Sequence, residues 1–597
     1  MSLLGRIGRE WRFLRALVRT LNRVSSIARD SPNLACDDLE AAIDRWRPRA
    51  AILFDGKAIT YGEFDALANR YANWCAGRGL KRGQTVAILL PNRPAVQAAW
   101  YGFSKVGVIS ALINNQLAGP ALAHCLKLSE ATNVIVDEET APALHAVLGS
   151  LDKHITVWTL AAEAQGDERS LLTALKGSSA VRPERENVRL GMTARDTALY
   201  IFTSGTTGLP KAARMTHMRV QLYMRGFAGA TGSGPNDRIF CALPLYHATG
   251  GLCAFGAALL NGGTFVLARK FSASNFWEEV IASKSTMFVY IGELCRYLVN
   301  QPPRPAEHGH TIRLAFGNGL RPDVWREMLT RFRIPQVLEF YGATEGNVSM
   351  FNFDGRLGAI GRAPAYLRSH FNIRLIRFDV DKEAEVRGPD GLCEECKPGE
   401  VGECVGEIGQ DARSAYAGYA DPSATKRKVL ENVFRQGDAW FATGDLMRQD
   451  RDGYFYFVDR IGDTFRWKGE NVSTTEVAEM LARAPGVKEA TVYGVQVANL
   501  DGRAGMASLV VGQEFDIAGL HARLATELPD YAQPRFIRLQ PEIETTGTFK
   551  YRKVDLVAEG FDPGEVRTPL YYLRPDKGYA KLTRAAYDKI MSGETRL

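Results

Sequence analysis

Two kinds of hydrophobic spacing alternate along the first third of the chain. Between Leu34 and about Glu184, short apolar or β-branched runs stand at Ala51–Phe54, Thr85–Leu90 and Thr132–Val136. Between them lie stretches with helical spacing, at Tyr61–Gly79, Pro94–Val106 and Gly119–Leu128. That rhythm predicts strands fed by helices, an α/β domain with a largely parallel sheet. Trp100–Ile113 is almost wholly apolar but contains Lys105, which favours core packing over a membrane span.

The first residues carry a different pattern. Leu3, Ile7, Leu14, Leu17, Val18 and Leu21 recur at helical steps, with Trp11 and Phe13 beside them. Arg6, Arg9, Arg12, Arg15, Arg19 and Arg23 interleave every three or four residues. Charge at every turn excludes a spanning helix, and the apolar core between arginines is too short for a signal peptide. The pattern suits a helix over residues 3–24 lying on an anionic membrane surface, where each basic residue contributes about 1 kcal/mol. The alternative is a basic helix docked on its own protein. Beyond Arg460 the spacing changes again. Helical stretches at Glu476–Ala484 and Ala518–Glu527 enclose strand-like runs at Ala490–Gly494 and Ser508–Val511, which reads as a small α+β domain. The tail from Pro569 to Leu597 has no role that the pattern reveals.

A chain of 597 residues exceeds one core, so several domains are expected. With 46% hydrophobic and 24% charged residues, disorder and a polytopic membrane protein are excluded. The net charge of +7 is concentrated at the start, where residues 1–24 hold six Arg against one Glu. The rest carries no general nucleic-acid signature. Nine scattered cysteines fit reduced thiols in a cytoplasmic protein. Cys393, Cys396 and Cys404 cluster, but with no His nearby and no second Cys-x-x-Cys pair, a loop with free thiols is favoured over zinc.

The stretch around which the rest is organised is Tyr200–Lys211, Tyr-Ile-Phe-Thr-Ser-Gly-Thr-Thr-Gly-Leu-Pro-Lys. A buried strand, Leu199–Phe202, breaks into Thr203, Ser204, Gly205, Thr206, Thr207 and Gly208. Hydroxyls and unencumbered backbone N–H groups can wrap phosphate oxygens, and Lys211 adds charge for the outermost ones. It is not a Walker A loop, because Pro210 precedes the lysine and Ala212 follows it. Strand-then-turn patterns recur at Phe240–Gly250, Leu314–Leu320, Val337–Glu345 and Trp440–Asp445.

The loop Thr203–Lys211 resembles the signature of the adenylate-forming superfamily, which includes acyl-CoA synthetases, luciferases and peptide-synthetase adenylation domains. The other motifs follow in that family's order over roughly residues 30–597. Asp459–Val472, Asp-Arg-Ile-Gly-Asp-Thr-Phe-Arg-Trp-Lys-Gly-Glu-Asn-Val, resembles the branch of fatty acid transport proteins and very-long-chain acyl-CoA synthetases. The resemblance implies an α/β fold: a large multi-subdomain N-terminal adenylate-forming domain over residues 30–460 and a small mobile α+β C-terminal lid over 461–597, preceded by the basic helix of residues 1–29.

It also implies roles. Gly317, Asn318 and Gly319, with Leu320, frame adenine. The Tyr341 ring stacks on it, in a turn continued by Gly342 and Ala343. Thr344 bonds a phosphate and Glu345 holds Mg²⁺, a hard cation that wants carboxylate oxygen. Asp445 accepts both ribose hydroxyls, with Arg460 beside it. His247 borders the acyl pocket, and Gly250 and Gly251 leave it volume or serve helix packing. Gly469 flanks the pantetheine passage, and Lys550 is the catalytic lysine delivered by the lid. Two positions depart from the family: Gly462 stands at a hinge usually occupied by Asp or Lys, and Asn471 where an Arg is common. The implied activity is an ATP- and Mg²⁺-dependent long-chain or very-long-chain fatty acyl-CoA synthetase working through an acyl-adenylate and coupled to fatty acid uptake. Lys550, Thr206 and Glu345 are its catalytic residues, and fatty acid, ATP and coenzyme A are its small-molecule partners. Its expected place is peripheral, on the cytoplasmic face of the cell membrane. A transport or binding protein with minor ligase activity, a ligase for a bulky non-fatty carboxylate, and assembly as a homodimer stay open.

Overall fold

The computed structural model describes residues 3–203, 209–380, 382–468, 470–498, 500, 502–546, 551–574, 577–595 and 597. Ser204, Gly205, Thr206, Thr207, Gly208, Gly469 and Lys550 lie outside the described residues. The chain divides into two compact units, Met1–Arg362 with Gly406–Leu430, and Ala363–Val405 with Glu431–Leu597.

In the first unit, a seven-stranded sheet runs in the order Arg169–Ser170, Thr156–Thr159, Asn133–Val136, Thr85–Ile88, Ile109–Leu112, Thr197–Thr203, Lys211–Thr216. All its pairings are parallel except the last. Thr85–Ile88 and Ile109–Leu112 are buried at every position, as strands covered on both faces must be. The intervening helix Pro94–Lys105 starts on a proline at its first position. A second, eight-stranded sheet has the order Ser349–Asn352, Val337–Gly342, Leu314–Asn318, Met287–Ile291, Arg238–Cys241, Thr264–Leu267, Ala50–Phe54, Lys57–Thr60. Its two end pairs are antiparallel and the rest parallel. Two of the strands that carry predicted site residues, Leu314–Asn318 and Val337–Gly342, are adjacent in this second sheet, and a third, Thr197–Thr203, is in the first.

Lys105 is fully buried, and its Nζ meets Asp65 Oδ1 at 2.6 Å, Asn69 Oδ1 at 2.6 Å and Glu40 Oε1 at 3.4 Å. A buried ammonium persists only with such partners. The apolar run around it is core, as its charge requires.

The helix Leu3–Val24 divides its residues between two faces. Phe13 is fully buried, its ring 6.1 Å from that of Phe353, and Arg362 lies over it while pairing with Glu10 at 2.9 Å. Arg19 donates to the carbonyls of Gly229 and Ala230 at 2.5 and 2.8 Å, at the last turn of helix His217–Thr231. Carbonyls of a last helical turn lack i+4 donors, and although Gly229 O also accepts the Gly232 N–H at 3.3 Å, the guanidinium adds stronger, charge-assisted bonds and opposes the helix dipole. Gly229 lets the helices meet, since a Cβ there would lie 2.7 Å from the Thr20 Cα. On the other face Ile7, Trp11, Leu14 and Val18 are exposed. The helix is docked on its own protein and still presents an apolar stripe. Among the described residues no helix is long and apolar enough to cross a membrane.

In the second unit, Ala439–Gln449 and Tyr454–Arg460 form an antiparallel pair. A five-stranded sheet follows, Val487–Val495, Ala504–Val511, Phe536–Gln540, Leu570–Arg574 and Gly578–Lys581 in that order. Its core gathers Phe465, Trp467, Leu481, Val492, Met506 and Phe536. The tail contributes the last two strands, of which Gly578–Lys581 is the edge, and the helix Arg584–Met591, with Ile590 buried in the same core.

Candidate active site

The strand Thr197–Thr203 and its antiparallel neighbour place Lys211 directly across from Thr203. Thr203 and Lys211 thus face each other at the ends of two antiparallel strands. His124 Nε2 donates to the Pro210 carbonyl at 3.0 Å, which fixes the start of the second of these strands. Gly418–Ala420 runs along the outer side of the same strand, with Arg214 N–H donating to the Gly418 carbonyl at 3.0 Å and Ala420 N–H to that of Ala212 at 2.8 Å. Tyr419 is thereby carried beneath Lys211, whose Nζ lies 5.7 Å from the Tyr419 ring centre. The Tyr419 hydroxyl donates to Glu345 Oε1 at 2.8 Å. Burial, and then the charge of Glu345, push the Tyr419 phenol well above its ordinary range, so it stays a donor. Lys211, Tyr419 and Glu345 form one polar line.

Glu345 ends a turn that begins at Tyr341, and two side chains of helix His217–Thr231 hold this turn. Arg219 donates to the carbonyls of Ala343 and Thr344, each at 2.9 Å, and Tyr223 Oη–H to that of Ala343 at 3.1 Å. Arg219 is 8% exposed, so these bonds are what make its burial tolerable. A small pocket adjoins the turn, lined among others by Tyr223, Phe227, Ala248, Thr249, Cys253 and Tyr341.

The strand Leu314–Asn318 ends beside it. Gly319, at φ +78°, turns the chain where a side chain would be strained. The turn is held from below. Glu339 Oε1 accepts the Leu320 N–H at 3.0 Å and Oε2 the Tyr290 hydroxyl at 2.5 Å. Burial pushes the Glu339 carboxyl up to about 8. The Asn318 Oδ1 is buried and meets no partner among the described residues.

His247 stands half-buried against Tyr246, ring centres 4.7 Å apart, just before the π-helical turn Thr249–Ala254. From this stretch Ala248, Thr249 and Cys253 reach the cavity wall. At Gly250 and Gly251 a Cβ would fall 2.9 Å from the Pro244 carbonyl oxygen and 2.2 Å from that of Leu245. The volume they vacate is filled by the chain's own backbone, so of the two expected uses of these glycines the geometry answers to packing.

In the second unit Asp445 and Arg460 are cross-strand partners, with Arg460 Nε 3.9 Å from Asp445 Oδ1. Gly444, before Asp445, donates its N–H to the buried Glu403 carboxylate at 3.0 Å. A carboxylate and a guanidinium side by side on a rigid ladder make a paired acceptor and donor for a diol.

A family model described as AMP-binding enzyme matches residues 39–405, and one described as AMP-binding enzyme C-terminal domain matches residues 476–550. The chain belongs to the AMP-binding enzyme family. It is 42% identical to long-chain fatty acid transport protein 6 of Mus musculus, over 93% of this chain and 90% of the relative. To long-chain fatty acid transport protein 1 of Homo sapiens it is 39% identical, over 98% and 93%. Its place is therefore in the fatty acid transport protein branch. Among solved structures, ATP-bound MatB from Rhodopseudomonas palustris superposes with a TM-score of 0.73 at 24% identity, covering 88% of this chain and 98% of that one. The anthranilate CoA ligase AuaEII in complex with anthranoyl-AMP gives 0.74 at 21%, covering 88% and 97%. These two establish the fold.

The residues present suit the nucleotide and cation that AMP-binding ligases use. The orphaned Asn318 Oδ1 is an acceptor that a nucleobase amino group satisfies. Among the described residues no group of three or more His, Cys, Asp or Glu side chains is arranged to hold a metal. A single carboxylate such as Glu345 is what Mg²⁺ needs when phosphates supply its other ligands. Sequence reasoning missed Arg219, Glu339 and Tyr419. A glutamate inside the apolar run Val337–Tyr341 was a legible sign of a buried, bonded carboxylate, whereas nothing local marks Arg219 or Tyr419.

Proposed function

We propose that this AMP-binding enzyme is an acid–thiol ligase that joins a long-chain fatty acid to coenzyme A through an acyl-adenylate. The observation that carries the reading is the turn Tyr341–Glu345, tied by Arg219, Tyr223 and Tyr419 beside a small pocket of mixed aromatic and polar lining. It presents an aromatic face, a hydroxyl and a carboxylate next to that lining. The likeness to long-chain fatty acid transport proteins supports the choice of acid.

The fatty carboxylate attacks the α-phosphorus of ATP and pyrophosphate leaves. Little covalent work falls to the protein, whose task is to align two anions and offset the charge that builds up. Ser204, Gly205, Thr207, Gly208 and Lys211 cradle the departing pyrophosphate, with Thr203 at the rim. Thr206, Thr344 and Lys550 stabilise the transferring group. Glu345 would hold Mg²⁺, which when bound supplies charge neutralisation at phosphate oxygens. Gly317, Asn318 and Gly319 frame adenine under Tyr341, and Asp445 with Arg460 take the ribose. The acyl chain enters by the His247 turn, where Gly250 and Gly251 shape the backbone. In the second half-reaction the coenzyme A thiol attacks the acyl carbonyl and AMP leaves, with Gly469 keeping the thiol's approach clear. The segment from 461 onward acts as the lid that alternates between the two steps. The test is fatty-acid-dependent exchange of labelled pyrophosphate into ATP, across a panel of acyl lengths and bulky acids. No exchange with any acid would sink the reading.

The helix Leu3–Val24 supports peripheral attachment to an anionic, cytoplasm-facing membrane surface. Ile7, Trp11, Leu14 and Val18 are exposed in one stripe, with Arg6, Arg12 and Arg15 exposed around them. Ligation at that surface draws incoming fatty acid into the cell as its thioester. Deleting residues 1–30 and following sedimentation with anionic vesicles tests this, and undiminished binding would remove it.

A further inference from the structure

The small pocket beside the Tyr341–Glu345 turn has an aromatic side, formed by Phe227, Phe340 and Phe351. Phe340 and Phe351 stand directly across from each other on the antiparallel strands Val337–Gly342 and Ser349–Asn352. Phe227, from helix His217–Thr231, meets both rings edge to face, its centre 4.6 Å from that of Phe340 and 5.3 Å from that of Phe351. Such contacts fix the direction of each ring as well as filling space.

The rings continue one layer behind the pocket. Phe353, 6% exposed, stacks on the half-buried Phe351 with centres 5.2 Å apart and an interplanar angle of 15°. Its other aromatic neighbour is Phe13 of the helix Leu3–Val24, at 6.1 Å. Phe13 is wholly buried, and the Arg362 guanidinium lies 4.9 Å from its ring centre while pairing with Glu10 at 2.9 Å. The backbone on both sides of this contact is held. Next to Phe353, the buried Asn352 donates to the Arg356 and Ala359 carbonyls, each at 2.7 Å, and accepts the Arg356 N–H at 2.9 Å. The first helix is tied to helix His217–Thr231 through Arg19 and seated by the close approach of Thr20 to Gly229. Phe13, Phe353, Phe351 and Phe227 thus form one file of rings from the first helix to the pocket. Where backbone is fixed and packing is dense, space opened at one ring is taken up by the next.

We propose that Phe13 is a positioning residue for the acyl pocket: acting through Phe353, it holds Phe351 forward and so limits the length of acid that is accepted. It rests on the reading of this pocket as part of the acyl site. Loss of the Phe13 ring lets Phe353 retreat, Phe351 follows its stacking partner, and that side of the pocket recedes. Longer acids then gain over shorter ones, while the nucleotide is unaffected. The inner face of the first helix sets substrate length, and its outer face keeps the exposed stripe.

The experiment uses the full-length chain with Phe13→Leu, Phe353→Leu and the two combined. Val24→Ala is the control, since Val24 is 7% exposed and packs with Met218 outside the file of rings. Pyrophosphate exchange with octanoate, dodecanoate, hexadecanoate and octadecanoate gives kcat/KM for each acid, and thermal melting reports folding. In Phe13→Leu and in Phe353→Leu the ratio of kcat/KM for octadecanoate to that for dodecanoate should rise at least about threefold, with KM for ATP within about twofold of the parent. The combined variant should shift the ratio by less than the product of the single shifts, because both act on one ring. Val24→Ala should lower Tm and leave the ratio unmoved. If the parent chain exchanges but both single variants keep its ratio within about twofold, this inference fails and the ligase reading stands. An equal shift in Val24→Ala would trace the effect to general loosening and overturn the proposal. So would a rise in KM for ATP at an unmoved ratio, which would set the rings behind the nucleotide. If the parent chain exchanges with no acid, the ligase reading falls and takes this one with it. Should Phe13→Leu not fold, Phe353→Leu against Val24→Ala carries the same comparison.

Discussion

The hydroxyl of Tyr419 donates a 2.8 Å hydrogen bond to Oε1 of Glu345, and the same phenol ring lies beneath the Lys211 ammonium. One aromatic side chain therefore orients the carboxylate proposed to hold Mg²⁺ and flanks the lysine proposed to meet the outer phosphates. Tyr419→Phe keeps the ring and removes the donor. The Mg²⁺ concentration that gives half-maximal pyrophosphate exchange should rise about three- to tenfold, since a bond to a charged group contributes about 1.5–3 kcal/mol and water replaces part of it. An unchanged Mg²⁺ titration would dissociate Tyr419 from the cation site.

Arg219 spans the carbonyls of Ala343 and Thr344 with its planar fork. Arg219→Met strands two acceptors in a half-buried turn and should cost about 2–4 kcal/mol, read as a drop in Tm. KM for ATP should rise as the turn loosens. Arg219→Lys should not rescue either quantity, because an ammonium cannot reproduce the fork.

Glu339 gives the protein a pH signature. Its carboxyl is raised by burial to about 8 from an ordinary 4.5. The folded chain thus keeps a proton that the unfolded chain gives up over that interval. The stability this group contributes is fully present below about 4.5 and is lost as pH rises through about 8. Glu339→Gln retains an acceptor for the Leu320 N–H and cannot ionise. The Tm difference between parent and variant should shift in favour of the variant from pH 5 to 8 and level off above. A difference that is flat with pH would show that Glu339 is ionised throughout.

Phe13 and Trp11 lie two residues apart on one helix, with exposures of 0% and 59%. Phe13→Ala should therefore destabilise the fold by about 3–5 kcal/mol. Trp11→Glu with Leu14→Glu should leave Tm nearly unchanged and reduce sedimentation with anionic vesicles at least severalfold, because an apolar anchor is replaced by charge repelled from the surface. Equal vesicle binding would assign the exposed stripe to another partner.

Gly251 tests the packing of the π-helical turn. A methyl group there meets the Leu245 carbonyl oxygen at 2.2 Å. Gly251→Ala should lower Tm by several degrees, following a cost of about 1–3 kcal/mol, and should disturb acyl-chain preference through the displaced His247 turn. A stable variant with unaltered preference would separate these glycines from the pocket.

Much of the secondary structure was legible. The helix expected over residues 3–24 spans Leu3–Val24, and that expected over Tyr61–Gly79 ends at Gly77. Both follow from spacing within one element, and Thr60 with Glu63 adds a capping box at the second start. The strand before the phosphate loop was equally plain, because β-branched and aromatic residues run unbroken into Ser, Thr and Gly. The C-terminal strands Leu570–Arg574 and Gly578–Lys581 escaped, since short, partly exposed strands carry a weak signal.

By itself the sequence determined where helices and strands lie, that a lysine returns eight residues after Thr203, and which small and hydroxylated residues gather at strand ends. Those are properties of neighbours along the chain, set by backbone propensity and by the period of apolar side chains. Only the tertiary structure decided that Tyr419 meets Glu345 across 74 positions, that Arg19 closes a helix 210 residues away, and which stripe of the first helix looks outward. Such pairings depend on how two sheets and their helices pack, and packing is a competition among distant surfaces that no local pattern can rank.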